Sequence, residues 1–125
     1  MLEQRIQQHF IDSADVKYQS AQALSDPINA AVQALLACVT NGSKVLACGA
    51  GLSSAQALQF AMMCVAGFER ERPELAAMAL SADAGWAGTL GQSFEVGAFA
   101  RQVRALGAAG DVLLVLCVNG DEPAL

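Results

Sequence analysis

The stretch from Lys44 to Ala66 limits the possible folds more than any other part of the chain. Lys44-Val45-Leu46-Ala47-Cys48 is a short apolar run, Gly49-Ala50-Gly51 follows at once, and Ser53 to about Ala66 is rich in Ala and Met at helical spacing. An apolar run without polar alternation reads as a strand covered on both faces, as in a parallel sheet. Parallel strands need a crossover, and strand, glycine turn and helix begin one. Leu75 to Leu80 reads as a second strand, after the charged connection Arg70-Glu71-Arg72-Pro73. Residues 81–93 read as a glycine-containing loop. Phe94 to Leu106 reads as a helix that Gly97 weakens, and Gly107 to Gly110 turn the chain. Asp111 then leads into Val112-Leu113-Leu114-Val115-Leu116, the clearest strand. This alternation predicts an α/β fold: a doubly wound three-layer sandwich around a parallel sheet, flavodoxin-like or Rossmann-like.

Two helices are expected before the sheet. The first covers residues 2–24, with Leu2, Ile6, Phe10, Ala14, Ala21 and Leu24 at helical spacing. Asp26-Pro27 then reads as a cap and a first-turn proline. The second helix runs to about Thr40, with Ile28, Val32, Leu35, Leu36 and Val39 on one face, and Asn41-Gly42 ends it. A chain of 125 residues suits one domain, with N-terminal helices over 1–42 and a βαβ core over 43–125. Gly120-Asp121-Glu122-Pro123 reads as another strand-to-helix turn. The chain stops where a further helix ought to begin, so the C-terminal part of the fold is expected to be missing.

Hydrophobic residues make up 54% of the chain and charged residues 15%. A small chain buries a limited share of its surface alone, so this balance predicts a homo-oligomer, a dimer or tetramer. A formal net charge of −5 argues against direct nucleic-acid binding, which wants a basic face. No Lys/Arg cluster invites an anionic membrane, and no uninterrupted apolar run reaches the ~18 residues of a span. The polar start MLEQRIQQHF is no signal peptide. A cytoplasmic location is the expectation. Cys38, Cys48, Cys64 and Cys117 sit in apolar runs without CxxC spacing. They read as buried free thiols in a reducing compartment, not as disulfides or zinc ligands. His9, the only histidine, reads as a solvated or interface residue.

The chemistry concentrates at the first glycine turn, CGAGLSSAQ over residues 48–56. Glycines there allow a tight turn and aim N–H groups at an anion on the helix N-terminus. Ser53 and Ser54 would add hydroxyl donors. The third glycine of GxGxxG is missing, and no acidic residue follows a second strand at ribose-binding distance, so a nucleotide is disfavoured. Phosphate binding and a tight turn without ligand both remain open.

The run KVLACGAGLSSAQALQF over residues 44–60 resembles the first strand, glycine loop and helix of the sugar-isomerase (SIS) fold family. Within that family it is similar to the phosphoheptose isomerases and the DnaA initiator-associating proteins. FERERPEL over 68–75, RQVRALG over 101–107 and GDVLL over 110–114 are similar to the second group in particular. So are Glu3-Gln4-Arg5-Ile6 and Ala21-Gln22-Ala23-Leu24. The resemblance covers nearly the whole chain and implies a single SIS domain over 1–125.

The departures from the family pattern matter as much as the matches. The resemblance implies an Asn between the two glycines, where Ala50 stands. It implies a metal-binding His before Phe60, where Gln59 stands, and a metal-binding, proton-moving Glu four residues on, where Met63 stands. Gln is no general base, and Met is a poor ligand for a divalent ion of zinc type. Catalytic residues and the family zinc therefore read as lost. After the third strand the family has a hydroxyl-rich phosphate loop; this chain has Cys117-Val118-Asn119-Gly120-Asp121-Glu122, with two carboxylates where a phosphate would sit. The remaining pocket residues are Gly49, Ala50, Gly51, Ser53, Ser54, Asp83 and Asn119. Trp86 has no family counterpart and would fill the emptied pocket or anchor an interface. Met62, Met63 and Cys64 read as core. Arg101 and Arg104 read as a solvated helix face.

The first functional expectation is a non-catalytic protein that acts, like the initiator-associating proteins, by contact with the replication initiator. The alternatives are a phosphoheptose isomerase acting on sedoheptulose 7-phosphate, and a degenerate protein that binds a sugar phosphate without turnover.

Overall fold

The computed structural model describes residues 1–81 and 94–120. The elements are α1 (Leu2–Thr40), β1 (Val45–Gly49), α2 (Ser53–Ala66), β2 (Ala77–Ala79), α3 (Phe94–Leu106) and β3 (Val112–Leu116). They fall into two units, Met1–Ala34 and Leu35–Leu125.

The expectation of two helices before the sheet is corrected. One helix of 39 residues runs through Asp26-Pro27 and holds Pro27 in its interior. Proline there removes a single i→i−4 bond, the one that would end on the Ala23 carbonyl. The flanking Ala, Gln and Leu residues are strong helix formers and carry the helix across the gap. The Ser25 hydroxyl donates to the Ala21 carbonyl one turn back, and Gln8 Nε2 donates to Asp12 Oδ1 at 2.8 Å. Leu2, Ile6, Phe10, Leu24, Ile28 and Val32 are all exposed. The helix also meets the length and hydropathy of a membrane span, with an 18-residue window of mean hydropathy 1.2. Asp26, Asn29 and Gln33 lie between its apolar residues, which makes a stripe and not an all-round apolar surface.

The second unit is built on a parallel sheet of three strands in the order β2-β1-β3. All five residues of β1 are buried, as a central strand covered on both faces requires. Alternation sends Leu46 and Cys48 to one face and Val45 and Ala47 to the other. Phe99 and Val103 of α3 pack with Leu46, Cys48 and Leu80. Helix α2 lies against all three strands and buries Ser53, Ala57 and Ala61, spaced four apart along one side. Met62 is therefore not core: about 100° further round the helix, it is exposed, while Met63 and Cys64 are half-buried.

Two strands start later than their apolar runs, and β2 is also shorter, at three residues. Leu75 gives its amide to the Cys64 carbonyl at 3.0 Å and not to a strand, so β2 starts at Ala77. Lys44 gives its amide to Asp111 Oδ1 at 3.0 Å, so β1 starts at Val45. The thiols also divide. Cys38 and Cys48 are buried, Cys64 is intermediate and Cys117, one residue past the end of β3, is exposed, which corrects the expectation that all four are covered.

Candidate functional site

The crossovers place the site. The chain runs from β1 through α2 to β2 on one side of the sheet, then through α3 to β3 on the other side of β1. Strand order therefore reverses between β1 and β3. In open α/β sheets, ligands bind outside the carboxyl ends of the strands at such a switch point. The pairing of Gly49 with Leu116 brings the turn after β1 beside the residues after β3. Gly49, Ala50, Gly51, Ser53 and Ser54 thus share one turn, and Asn119, exposed on the bend after β3, lies at the same sheet edge. Asp83, Trp86, Asp121 and Glu122 fall outside the described residues.

The turn is tight for two stated reasons. Gly51 has φ +57°, a left-handed conformation open to glycine at little cost. At Gly49 a Cβ would run into the Ser53 carbonyl and stand 3.0 Å from the Leu116 carbonyl oxygen. Only glycine lets the end of β1, the start of α2 and the end of β3 approach so closely. The amides of Ser53, Ser54 and Ala55 donate to the carbonyls of Ala50, Gly51 and Leu52 at 3.1, 3.1 and 3.2 Å. Residue 52 is Leu, without a capping hydroxyl or carboxylate, and makes no side-chain cap bond.

The two serines are not equivalent. Ser53 is 2% exposed and packs inward, so its hydroxyl is not a surface donor as the sequence suggests. Ser54 is exposed and donates to the Gly51 carbonyl at 2.7 Å.

Gln59 and Met63 lie one helical turn apart and line a shallow groove with Leu58, Met62 and Phe68, about 440 Å³ in volume. Gln59 is exposed and Met63 half-buried. An amide and a thioether are not a donor set for zinc, which takes thiolate, imidazole and carboxylate. Among the described residues no three thiol, imidazole or carboxylate groups cluster to hold a metal ion. Burial pushes the Cys48 thiol up, and burial pushes Cys64 up against the opposing pull of Arg72. The residues present on α2 do not fit the zinc ion that the resemblance implies.

Three polar residues with structural work were not singled out from the sequence. Asp111 accepts from the Lys44 amide at 3.0 Å, the Lys44 ammonium at 2.6 Å and the Ala108 amide at 2.8 Å. These bonds, that from the ammonium first, hold its carboxyl at about 2 and tie the starts of β1 and β3 together. Arg72 caps the end of α2 by donating to the Met63 and Cys64 carbonyls. Gln102, 4% exposed, bonds Ser81 of the loop after β2. The available signal for Gln102 was a polar residue at helical spacing from Ala98 and Phe99, on the apolar side of α3. Asp111 carried one as well, standing directly before the strongest strand.

The chain matches the family described as SIS domain over residues 9–125. It is 55% identical over 123 residues to a phosphoheptose isomerase of Methylibium petroleiphilum, covering 98% of this chain and 62% of that protein. A phosphoheptose isomerase of Aromatoleum aromaticum is 42% identical over 120 residues, covering 95% of this chain and 61% of that one. Among solved structures, phosphoheptose isomerase GmhA from Neisseria gonorrhoeae superposes with a TM-score of 0.87 at 35% identity, over 99% of this chain and 65% of its own. A phosphoheptose isomerase from Francisella tularensis gives 0.88 at 37%, with the same coverage. The chain thus spans a little under two thirds of the length of the relatives it matches.

Proposed function

This chain belongs to the SIS domain family, and from that premise we propose that it binds a sugar phosphate at the β1–α2 turn without metal-dependent turnover. The observation that carries the proposal is the switch point itself. Gly49 and Gly51 hold the turn at the carboxyl edge of the sheet, beside Asn119 of the segment after β3. The N-terminal end of a 14-residue helix supplies a favourable field for a phosphate there. Gln59 and Met63 supply neither a general base nor a hard ligand, which supports binding without isomerisation. A cytoplasmic location suits such a ligand.

The names of the relatives weigh toward sugar phosphates and away from the replication initiator as the partner, so initiator contact stands behind this reading. A second reading is phosphoheptose isomerase activity, favoured by the 55% identity to the Methylibium enzyme. Self-association into a dimer or tetramer accompanies either reading, supported by the exposed apolar stripe of α1.

Amide spectra of the chain titrated with sedoheptulose 7-phosphate test the site. We expect saturable shifts at Gly51, Ser54 and Asn119. Shifts confined to other segments, or none, would remove the site. Turnover of the same compound by the unaltered chain would replace the first reading with the second.

A further inference from the structure

We infer that Gln102 is a positioning residue for the sugar-phosphate site, its side-chain amide taking the place of a neighbouring strand that β2 lacks among the described residues. This inference rests on the binding reading above. β2 is the edge of the sheet among the described residues. Its last bond to β1 is from the Leu80 amide to the Ala47 carbonyl, at 2.7 Å. In an extended chain the next residue points its N–H and C=O the opposite way, so those of Ser81 face outward from the sheet.

Gln102 meets both. Its Oε1 accepts from the Ser81 amide at 3.2 Å, and its Nε2 donates to the Ser81 carbonyl at 2.7 Å. The second Nε2 proton goes to the Ala98 carbonyl at 3.0 Å, one turn back on α3. The residue is 4% exposed, and these bonds use both amide protons and one lone pair of Oε1. Two parallel bonds to one residue fix direction as well as distance. Glutamine is the neutral side chain that is both long enough to span from a helix to a strand and able to donate and accept at once.

The geometry has a consequence for ligand binding. Ser81 is the residue with which the chain leaves β2 at the carboxyl edge, the edge that holds the β1–α2 turn and Asn119. Gln102 ties that exit to α3, whose Phe99 packs on Leu46 and Cys48 directly below the turn. The exit of β2 and the turn after β1 are thereby set against one helix. Loss of the clamp frees the exit while leaving the apolar packing of α3 in place.

The test compares two substitutions in the full chain. Gln102→Met keeps the volume and removes all three bonds; Asp111→Asn weakens the tie between the starts of β1 and β3, at the opposite edge of the sheet, and leaves the clamp. Affinity for sedoheptulose 7-phosphate is measured by calorimetry at a temperature where circular dichroism shows each variant folded. We expect Gln102→Met to bind about tenfold more weakly, the size of one or two lost hydrogen bonds, and to exchange the Ser81 amide faster. Asp111→Asn should bind like the unaltered chain. If Gln102→Met does not fold, Gln102→Glu serves, because it retains the acceptor for the Ser81 amide and loses the donor to its carbonyl. Affinity within about twofold of the unaltered chain in the clamp variant, or an equal loss in Asp111→Asn, overturns the inference. No binding by the unaltered chain overturns the reading on which it rests, and the inference with it.

Discussion

Gly49 carries the site at the level of a single residue, because β1, α2 and β3 come together on its missing side chain. Gly49→Ala puts a methyl group into the Ser53 carbonyl and close to that of Leu116, and backbone cannot rotate aside as a side chain can. Overpacking of this kind costs on the order of 2 kcal/mol or more, a fall of about 10 °C in Tm for a domain of this size. Thermal melts check it. Gly51→Ala should cost less, since φ +57° strains the backbone but nothing lies within 4 Å of the new methyl group. Asp111 gives a pH dependence. Its carboxyl titrates at about 2 when folded, against an ordinary value of 3.8. Its contribution is therefore complete above about pH 4 and is lost as pH falls toward 2. Asp111→Asn should lower Tm at pH 7 and flatten that part of the acid limb. An unchanged slope between pH 4 and 2 would mean the bonds with Lys44 and Ala108 contribute nothing.

At the scale of elements, Pro27 separates what is local from what is not. Asp26-Pro27 has the chemistry of a helix start, and read locally it divides α1 in two. The structure keeps one helix because flanking residues of high propensity outweigh one lost bond. Pro27→Ala should then raise helicity and stabilise α1 by up to about 3 kcal/mol, read as slower amide exchange around Ala23 and Ala30. Were Pro27 instead the first-turn residue of a second helix, the same change would bring no gain.

Other elements were legible because local signals agreed. The all-apolar β1 run, the glycine turn and the Ala-rich spacing of α2 all called for one crossover, and β3 had no competing reading. Strand ends were illegible. Lys44 and Leu75 bond to Asp111 and to the end of α2, partners 67 and 11 residues away, and no local pattern reports these. The site was legible in part for the same reason. Glycines announce a turn, but that Ser53 faces inward and Ser54 outward depends on how α2 lies on the sheet. Which side of α2 is covered also explains Met62, which composition assigns to the core and the packing of Ala57 and Ala61 leaves outside.

For the whole molecule, fold and ligand class come from different observations. The parallel sheet in the order β2-β1-β3 and TM-scores of 0.87 and 0.88 define the architecture, whereas the proposal of binding without metal-dependent turnover rests on Gln59 and Met63. The exposed stripe from Leu24 through Ile28 to Val32 on α1 suits a self-associating helix. Sedimentation should find a dimer or tetramer that Ile28→Glu shifts toward monomer; a monomer at all concentrations would dissociate the stripe from assembly. The most direct test of the central claim is the Tm of the chain titrated with sedoheptulose 7-phosphate, with and without zinc. A ligand that binds only the folded state raises Tm, and above its Kd the rise grows with the logarithm of its concentration. The account predicts such a rise, the same in both conditions. No rise at any concentration, or a rise that appears only with zinc, would contradict it.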